Sequence, residues 1–343
     1  MSTKTIRILG AGAWGTALAL LWSRDQSPSP HDASIELLAR TANDATTIRR
    51  TQRNARRLPG VELPTSIRIG SADEAATALA PGDVFVVTIP SADLTVETAR
   101  RIVEAAGTAP ILVASKGLSL NGARPTEVLE SAGADLSRVA VLSGPNLASE
   151  IAVGKPAAAV LAGEATLGEE LRNLLVRPTF RLYLTDDVVG VEIGGALKNV
   201  IAIAVSGVRA LGYGENAAAA LLSRGVAEMA RLAEACGGRT ETTCGLAGVG
   251  DLVLTASNTG SRNAKLGALL ASGLSVQAAV DTIGATVEGI GTAHGALHLA
   301  AARKLELPIT AAVVAALDGG ASIETIARGL LGRSPAQEWR HSS

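Results

Sequence analysis

The first half of the chain alternates short apolar runs with longer amphipathic stretches. The apolar runs have the composition of β-strands and are Thr5–Leu9, Ser34–Ala39, Ser66–Ile69, Asp83–Thr88, Pro110–Ser115, Val139–Ser143, Ala157–Ala162 and Arg181–Thr185. The stretches with helical spacing are Trp14–Arg24, Ser71–Ala80, Ala92–Ala106 and Thr166–Val176. Strands that alternate with helices predict an α/β fold, with a largely parallel sheet and helices on both of its faces.

The second half shows no further strand-like run beyond about Asp187. Its patterns predict helices over Val188–Leu211, Glu215–Cys236, Thr292–Lys304 and Ile309–Leu317. Glycine pairs separate several of them. A chain of 343 residues is long enough for two domains. We therefore expect an α/β domain over residues 1–187 and an all-α helical domain over residues 188–343.

Charge and hydropathy exclude several classes of protein. The formal net charge is −1 and no long block of like charge occurs, which argues against a nucleic-acid-binding surface. The N-terminus leads into a strand without the apolar region of a signal peptide. The apolar stretch 199–211 is interrupted by Ser206 and Arg209, so it is expected to be too short and too polar to span a bilayer. These features predict a soluble cytoplasmic protein.

The cysteines and histidines give no metal-binding pattern. Cys236 and Cys244 match neither a C-x-x-C motif nor a zinc motif, which favours reduced, structural thiols. His294 and His298 are four residues apart and could share a helix face. No third ligand accompanies them, so a packed or capped pair is the preferred interpretation and no metal site is expected.

The hexapeptide GAGAWG at residues 10–15 has the G-x-G-x-x-G spacing of a dinucleotide-binding turn. Alone this match is weak, but it directly follows the first predicted strand and opens the first predicted helix, as the motif requires. Gly10 permits the tight turn, Gly12 lets the backbone approach a pyrophosphate, and Gly15 lets the helix pack against the strand. The helix N-terminus offers free N–H groups to the phosphates.

The end of the second predicted strand bears on the choice between NAD and NADP. An NAD-specific site has an acidic residue there, which accepts a hydrogen bond from the ribose 2′-hydroxyl. In this chain Glu36 lies in mid-strand and Arg40 follows the strand. Arg40 either meets the 2′-phosphate of NADP or is a solvated loop residue. The sequence therefore favours NADPH without excluding NADH.

Nine segments together resemble the bacterial NAD(P)-dependent glycerol-3-phosphate dehydrogenases over nearly the whole chain. They are GAGAWGTALAL (10–20), NARRLPGVELP (54–64), VTIPS (87–91), ASKGL (114–118), SGPNLASEIA (143–152), GVEIGGALKNVIAIAVSG (190–207), GLAGVGDLVLT (245–255), SRN (261–263) and VEG (287–289). The resemblance implies a Rossmann-type doubly wound domain followed by a helical domain of the 6-phosphogluconate dehydrogenase C-terminal type. It implies reversible reduction of dihydroxyacetone phosphate to sn-glycerol 3-phosphate, which supplies phospholipid synthesis, and a homodimer.

Lys198 and Asp251 are the expected catalytic residues. Lys198 lies in GGALKNV among small and apolar residues, where the pKa of a lysine can fall and the side chain can act as a general acid and base. The resemblance makes it the proton acceptor in the oxidative direction. Asp251, in the GVGDL turn, would orient or charge-balance Lys198, or would cap a helix.

The expected substrate-binding residues lie around that pair. Ser261, Arg262 and Asn263 precede a predicted helix, and helix-start N–H groups with a guanidinium suit a phosphate dianion. By resemblance this tripeptide binds the substrate, although Ser261 can equally cap the helix. Asn199 and Thr255 are expected to bond nearby. The resemblance completes the substrate set with Lys116, Gly144, Asn146, Lys198 and Asp251.

The resemblance also implies the remaining cofactor contacts. Besides the three glycines and Arg40, they are Ala13, Trp14, Lys116, Ala148, Arg262, Thr286 and Glu288. Lys116 follows the fifth predicted strand, at an edge where open α/β sheets bind ligands, unless it is a solvated loop lysine. Three positions depart from the family pattern: Ala13 stands for serine, Asn146 for serine or threonine, and Thr286 for an aliphatic residue. A hydroxyl contact from residue 13 is therefore absent.

Two other functions fit the same two-domain plan. A hydroxyacyl-CoA or nucleotide-sugar dehydrogenase would need a catalytic histidine–glutamate pair or a nucleophilic cysteine, and no histidine or cysteine here has such a context. A non-catalytic NADP sensor would need no proton relay, whereas Lys198, Asp251 and Arg262 occur together.

Overall fold

The computed structural model describes residues 4–24, 33–74, 79–320 and 322–331. The chain divides into two compact units. The first comprises Met1–Lys116 and Pro125–Val188, and the second comprises Gly117–Arg124 and Val189–Ser343. Unlike the single boundary expected after residue 187, this division assigns the short segment 117–124 to the second unit.

The first unit contains one eight-stranded sheet, and each of the predicted apolar runs contributes a strand. The strands are β1 (Lys4–Leu9), β2 (Ala33–Ala39), β3 (Arg68–Ser71), β4 (Val84–Val87), β5 (Ile111–Val113), β6 (Val139–Ser143), β7 (Ala157–Ala162) and β8 (Phe180–Thr185). Their order is β3-β2-β1-β4-β5-β6-β7-β8, and all neighbours are parallel except β6 and β7. The α/β prediction for this part of the chain is confirmed.

Among the described residues of the first unit, six α-helices accompany this sheet. They are α1 (Ala13–Ser23), α2 (Ala42–Thr51), α3 (Val96–Ala106), α4 (Pro125–Ser131), α5 (Ala148–Ala152) and α6 (Ala165–Leu175). The helix expected to begin at Ser71 is wrong, because Ser71 pairs with Ala39 and ends β3. Only a 3₁₀ turn, Ala72–Glu74, follows, and residues 75–78 of the expected helix lie outside the described residues.

The strand order reverses between β1 and β4. Towards one edge of the sheet the order runs through β2 and β3, and towards the other through β5 and β6. In open α/β sheets ligands bind beyond the carboxyl ends of the strands at such a reversal. Residues 10–15 follow β1 directly, so the glycine-rich turn lies at this position.

The second unit is helical throughout its described residues. Its α-helices are α7 (Val188–Ala210), α8 (Gly214–Ala235), α9 (Thr240–Cys244), α10 (Asp251–Ser257), α11 (Arg262–Ala271), α12 (Val276–Ile283), α13 (Glu288–Ala302), α14 (Pro308–Leu317) and α15 (Ile323–Leu331). A π-helical turn, Leu246–Gly250, joins α9 to α10. The prediction of a helical second domain is confirmed.

Helix α7 is the central element of the second unit. It is 23 residues long, and its most apolar window has a mean hydropathy of 1.8, so by length and composition it could cross a membrane. The expectation that this stretch is too short is therefore wrong, because the helix begins at Val188, well before the apolar segment considered from the sequence. Since 89% of that window is buried inside the protein, α7 has the burial of a core helix.

Candidate active site

The turn between β1 and α1 needs two of its glycines for steric reasons. Gly10 has a φ of +112°, which L side chains rarely adopt. A Cβ at Gly15 would overlap the carbonyl oxygen of Gly10, so only glycine lets α1 begin this close to the strand. The Thr88 hydroxyl donates to the carbonyls of Leu9 and Gly10, each at 2.9 Å, and so fixes the turn from β4.

Gly12 is different, because the fold itself leaves room for a side chain there. A Cβ at Gly12 would meet nothing within 4 Å, and its φ of −74° is open to any residue. Gly12 is the N-cap of α1 without a side-chain cap, and the first turn of α1 has no acidic residue. The N-terminus of α1 thus combines open space with a positive dipole end, which fits a pyrophosphate.

Two further observations in the first unit fit a bound dinucleotide. The buried indole Nε1 of Trp14 finds no hydrogen-bond partner in residues 4–24, 33–74, 79–320 and 322–331. The Asn54 side chain donates to Ala11 O and to the Thr16 hydroxyl, both at 2.9 Å, and holds the turn from the segment after α2. Asn54 and Thr88 lie in segments that carried the family resemblance, but the sequence alone gave them no role.

Arg40 follows the last residue of β2 and is exposed. Glu36 lies beside Arg7 on β1, and Arg7 Nε donates to Glu36 Oε2 at 2.5 Å. The acidic residue of β2 is therefore committed to an ion pair within the sheet. Arg40 then occupies the strand end at which an NAD-specific site would have its carboxylate.

Lys116, Trp14 and Gly144 come together near the carboxyl ends of the central strands. Lys116 Nζ donates to Gly144 O at 2.9 Å and lies 5.7 Å from the centroid of the Trp14 ring, a cation–π distance. Gly144 has a φ of +147°, and a Cβ there would lie 2.9 Å from Ala159 Cα. These contacts hold the lysine in one direction, as a ligand-binding cation requires.

Asn146 and Ala148 follow Gly144 in the same loop. Asn146 Nδ2 donates to Ala158 O at 2.9 Å. Its Oδ1 is buried and, within the part of the chain that the structure describes, lacks a partner. Ala148 begins the short helix α5. Asn146, which replaces the hydroxyl residue of the family pattern, thus keeps a buried acceptor atom that no described residue uses.

In the second unit Lys198, Asp251 and Thr255 form a buried polar cluster. Lys198 on α7 is 8% exposed, and its Nζ donates to Asp251 Oδ1 at 3.1 Å and to the Thr255 hydroxyl at 3.0 Å. Asp251 and Thr255 are one turn apart on α10, and the Thr255 hydroxyl donates to Asp251 Oδ1 at 3.3 Å. The predicted pair is therefore together, with Thr255 as a third member.

Asn199 and Asn263 link α7 to α11 and α13. Asn263 Nδ2 donates to Asn199 Oδ1 at 2.7 Å, and Asn263 Oδ1 accepts from Gly289 N at 3.1 Å. A Cβ at Gly289 would lie 2.6 Å from Ile203 Cδ1, so this approach requires glycine. Both asparagines were expected to bind substrate, and the structure places their side chains in a buried bridge between helices.

Arg262, Ser261 and Thr286 lie at the start of α11. Ser261 Oγ caps the helix by accepting from Ala264 N at 3.4 Å. Arg262 is exposed and donates to Thr286 O at 2.6 Å, so two residues predicted to contact the cofactor touch each other. Glu288, another predicted contact, is the first residue of α13. The first turn of α11 has no acidic residue, which suits a phosphate.

A buried ion pair that sequence reasoning missed involves Glu192, which precedes Lys198 on α7. Arg124 Nη1 donates to Glu192 Oε2 at 2.8 Å, and the Glu192 side chain is only 2% exposed. Leu118 N donates to the Thr292 hydroxyl at 3.4 Å. Both contacts attach the segment 117–124 to helices of the second unit. Only a strongly polar residue in an otherwise apolar run, Glu192, signals the pair in the sequence.

His294 and His298 have different surroundings on α13. His294 Nδ1 lies 3.0 Å from Ile290 O, and Nε2 lies 2.9 Å from Asp318 Oδ1. His298 is exposed. Across the residues that the structure describes, no group of three or more His, Cys, Asp or Glu side chains could hold a metal ion. Cys236 and Cys244 are not joined by a disulfide.

Comparison with known families covers nearly the whole chain. Residues 5–167 match the N-terminal region, and residues 187–328 the C-terminal region, of the family described as NAD-dependent glycerol-3-phosphate dehydrogenase.

Individual relatives agree with this match. The chain is 40% identical to glycerol-3-phosphate dehydrogenase [NAD(P)+] of Paracidovorax citrulli, over 98% of this chain and 99% of that one. The enzyme of the same name from Acidovorax ebreus is 42% identical over equal shares. The crystal structure of glycerol-3-phosphate dehydrogenase from Coxiella burnetii superposes with a TM-score of 0.87 at 33% identity, covering 96% of this chain and 99% of that one.

Proposed function

This chain belongs to the NAD-dependent glycerol-3-phosphate dehydrogenase family and is an oxidoreductase, and we propose that it interconverts dihydroxyacetone phosphate and sn-glycerol 3-phosphate through Lys198. The carrying observation is the buried Nζ of Lys198, within hydrogen-bond distance of Asp251 and Thr255. A carbonyl reduction needs a proton donor that is held in place away from bulk water. The Lys198 cluster has both properties.

The turn at residues 10–15 is the proposed dinucleotide site. When bound, NAD(P)H supplies the hydride to the substrate carbonyl carbon. Gly12 and the N-terminus of α1 bind the pyrophosphate, and Trp14, whose indole N–H is buried and unpartnered among the described residues, supplies a donor beside it. Ala13, Lys116, Ala148, Arg262, Thr286 and Glu288 complete the proposed set.

Lys198 is the proposed general acid of the reduction. Its Nζ gives a proton to the substrate carbonyl oxygen as that oxygen becomes a hydroxyl, and in the reverse direction it accepts the proton. Asp251 holds the ammonium group by charge, and the Thr255 hydroxyl holds it by a second hydrogen bond. Because two partners fix the ammonium group, little rotational freedom is lost in the transition state.

The start of α11 is the proposed site for the substrate phosphate. Arg262 offers a guanidinium at the positive end of a 10-residue helix, and Ser261 fixes the first turn. Asn199 and Asn263 keep α7 and α11 in register beneath it. Lys116, Gly144 and Asn146 are the proposed substrate contacts of the first unit.

NADPH is the proposed preferred cofactor. Arg40 at the end of β2 is exposed, and the acidic residue of that strand is already paired with Arg7. A guanidinium at this position attracts a 2′-phosphate, whereas a carboxylate would repel it. On family membership we also propose a cytoplasmic homodimer that supplies sn-glycerol 3-phosphate for phospholipid synthesis. Light scattering of the purified chain tests the dimer.

Initial rates with NADH and NADPH against a panel of phosphorylated ketones test the proposed function. The parent enzyme should use dihydroxyacetone phosphate in preference to other ketones. Lys198→Ala should lower kcat by roughly 10²–10⁴-fold, because a general acid acts in the transition state. Arg262→Ala should mainly raise KM, because the phosphate carries the same charge in substrate and transition state.

Lys265→Ala provides the matched control, since Lys265 is an exposed lysine on α11 and should leave both constants unchanged. Thermal melts must show that each variant is folded. A near-normal kcat for folded Lys198→Ala would overturn the role of Lys198, and Lys116 would then be tested next. Absence of turnover by the parent with either cofactor would overturn the substrate.

A further inference from the structure

Helix α7 touches the π-helical turn through two glycines. A Cβ built at Gly194 would lie 3.2 Å from Gly248 Cα, 3.3 Å from Gly248 N and 3.4 Å from the carbonyl carbon of Ala247. All three of these atoms belong to the backbone, so a change of side-chain rotamer cannot make room for the Cβ. A methyl group at Gly194 would therefore force α7 and this turn apart by a few tenths of an ångström.

The two glycines occupy corresponding places relative to the catalytic pair. Gly194 lies one helical turn before Lys198 on α7, and Gly248 lies three residues before Asp251. In a helix, residues three or four apart share a face. The glycine contact joins α7 to the π-helical turn, and the Lys198–Asp251 hydrogen bond joins α7 to α10, which follows that turn directly.

The π-helical turn has close contacts of its own. A Cβ at Gly248 would overlap the carbonyl oxygen of Thr243 and would lie 2.9 Å from Met229 Sδ, so glycine is needed at this position. Gly250 N donates to Gly245 O at 3.0 Å, which closes the turn. Bulk added between α7 and the turn would therefore press apart the helix that carries Lys198 and the segment that leads into Asp251.

We propose that Gly194 and Gly248 are positioning residues that set the distance between Lys198 and Asp251, an inference that rests on the proposed function. The hydrogen bonds from Lys198 Nζ are already 3.1 Å to Asp251 and 3.0 Å to Thr255. A displacement of a few tenths of an ångström takes both beyond the usual donor–acceptor range of about 2.7–3.2 Å. The ammonium group then loses its fixed direction towards the substrate oxygen.

Gly194→Ala tests this spacing with one methyl group. The variant should keep KM for dihydroxyacetone phosphate and NADPH within about threefold while kcat falls by about tenfold, since small misplacements of a catalytic group are costly. Alanine favours a helix over glycine, so its melting temperature should change little. The shift of that temperature on adding sn-glycerol 3-phosphate should equal the parent's.

Gly207→Ala is the matched control on the same helix. A Cβ at Gly207 would lie 3.1 Å from Ile323 Cγ2 and 3.4 Å from Gly267 O, a similar crowding more than two turns beyond Lys198. The control should leave kcat within about twofold of the parent. An equal loss of kcat in Gly207→Ala would show that crowding anywhere on α7 has this effect and would overturn the proposal.

A double-mutant cycle separates positioning from general damage. If Gly194 acts through the Lys198–Asp251 contact, adding Gly194→Ala to Asp251→Asn should cost little further kcat, because the contact is already weakened. If the glycine is merely structural, the same factor should appear in both backgrounds, and the proposal fails.

Asp251→Glu tests whether the spacing between Lys198 and the carboxylate of residue 251 is fixed, and this test does not require Gly194→Ala to be stable. With the spacing fixed, the longer side chain has no room, and kcat should fall about tenfold although the charge is unchanged. Parent-like kcat in Asp251→Glu would overturn the proposal. All comparisons require a parent that turns over dihydroxyacetone phosphate and loses kcat in Lys198→Ala. A parent that fails either condition would contradict the proposed function and not the proposed role of the two glycines.

Discussion

Asn263 donates its side-chain amide to Asn199 Oδ1 over 2.7 Å, and the same side chain accepts the backbone N–H of Gly289. The side chain of Asn263, which follows Arg262 on α11, thus bonds to Asn199, which follows Lys198 on α7, and to the start of α13. Both asparagines are buried, at 2% and 8% exposure, so water cannot replace the bond. The residues proposed for catalysis and for phosphate binding in the second unit thus share one structural support.

Asn263→Asp should destabilise the protein by about 1–3 kcal/mol, the usual cost of leaving buried polar groups without a proper partner. The carboxylate still accepts from Gly289 N but turns an acceptor towards Asn199 Oδ1. Chemical denaturation measures the loss. Asn258→Asp is the control, because Asn258 only accepts from Gly260 N, and an aspartate keeps that bond. Equal stability of the two variants would show that the bridge contributes nothing.

Gly12→Val should abolish NADPH binding while the protein remains folded. A Cβ at Gly12 would have no atom within 4 Å, so the fold accepts the substitution, while the side chain would occupy the space proposed for the pyrophosphate. Calorimetric titration measures the binding, and a thermal melt shows the fold. Gly15→Ala is the contrast, since its Cβ would overlap Gly10 O and should lower the melting temperature. Unchanged affinity in Gly12→Val would remove the cofactor from this turn.

Arg40→Ala should weaken NADPH binding far more than NADH binding. A charge-assisted hydrogen bond to the 2′-phosphate contributes about 1.5–3 kcal/mol, which corresponds to a roughly ten- to hundredfold change in affinity. Arg50→Ala, an exposed arginine on α2, should affect neither cofactor. Titration with each cofactor measures the two affinities. Equal losses of affinity for NADPH and NADH would mean that Arg40 does not contact the 2′-phosphate.

His294 should make stability depend on pH near neutrality. Burial lowers the pKa of His294, but hydrogen bonds to Ile290 O and Asp318 outweigh it and raise the pKa above the ordinary value. A raised folded-state pKa stabilises fully below the unfolded-state value of about 6.5, and this stabilisation is lost as the pH rises through the folded-state pKa.

As the pH rises from about 6.5 through the folded-state pKa of His294, the melting temperature of the parent should therefore fall relative to that of His294→Gln. His298→Gln, four residues along α13 and exposed, should follow the parent. Parallel curves for the parent and His294→Gln would rule out the effect.

Local patterns predicted the strands because each is a short apolar run with a turn signal after it. The same reasoning failed at Ser71, where pairing with Ala39 overrides the helical spacing of the following residues. It gave no sign that β7 runs antiparallel to β6, because strand direction depends on the path of the chain between strands. Contacts between distant residues decide such features.

The candidate site was predictable where a motif states its chemistry, as at Lys198 and Asp251. The motifs did not distinguish residues that would touch a ligand from residues that hold others in place. Asn263 and Asn199 lie beside predicted ligand contacts in the sequence, yet their side chains bond to each other. Arg124 and Glu192 are 68 residues apart along the chain, so only the fold brings that pair together.

The segment 117–124 makes the chain cross between its two units at three points: after Lys116, after Arg124 and after Val188. During synthesis these eight residues leave the ribosome well before α7 and α13, on which they pack. Arg124 can therefore pair with Glu192 only after Glu192 has been synthesised. Residues 189–343 alone do not contain the whole second unit. A recombinant fragment starting at residue 188 would lack Arg124 and would therefore lose the buried ion pair between Arg124 and Glu192. Gene fusions and truncations that treat the helical unit as a detachable module should consequently yield insoluble protein unless residues 117–124 are supplied with it.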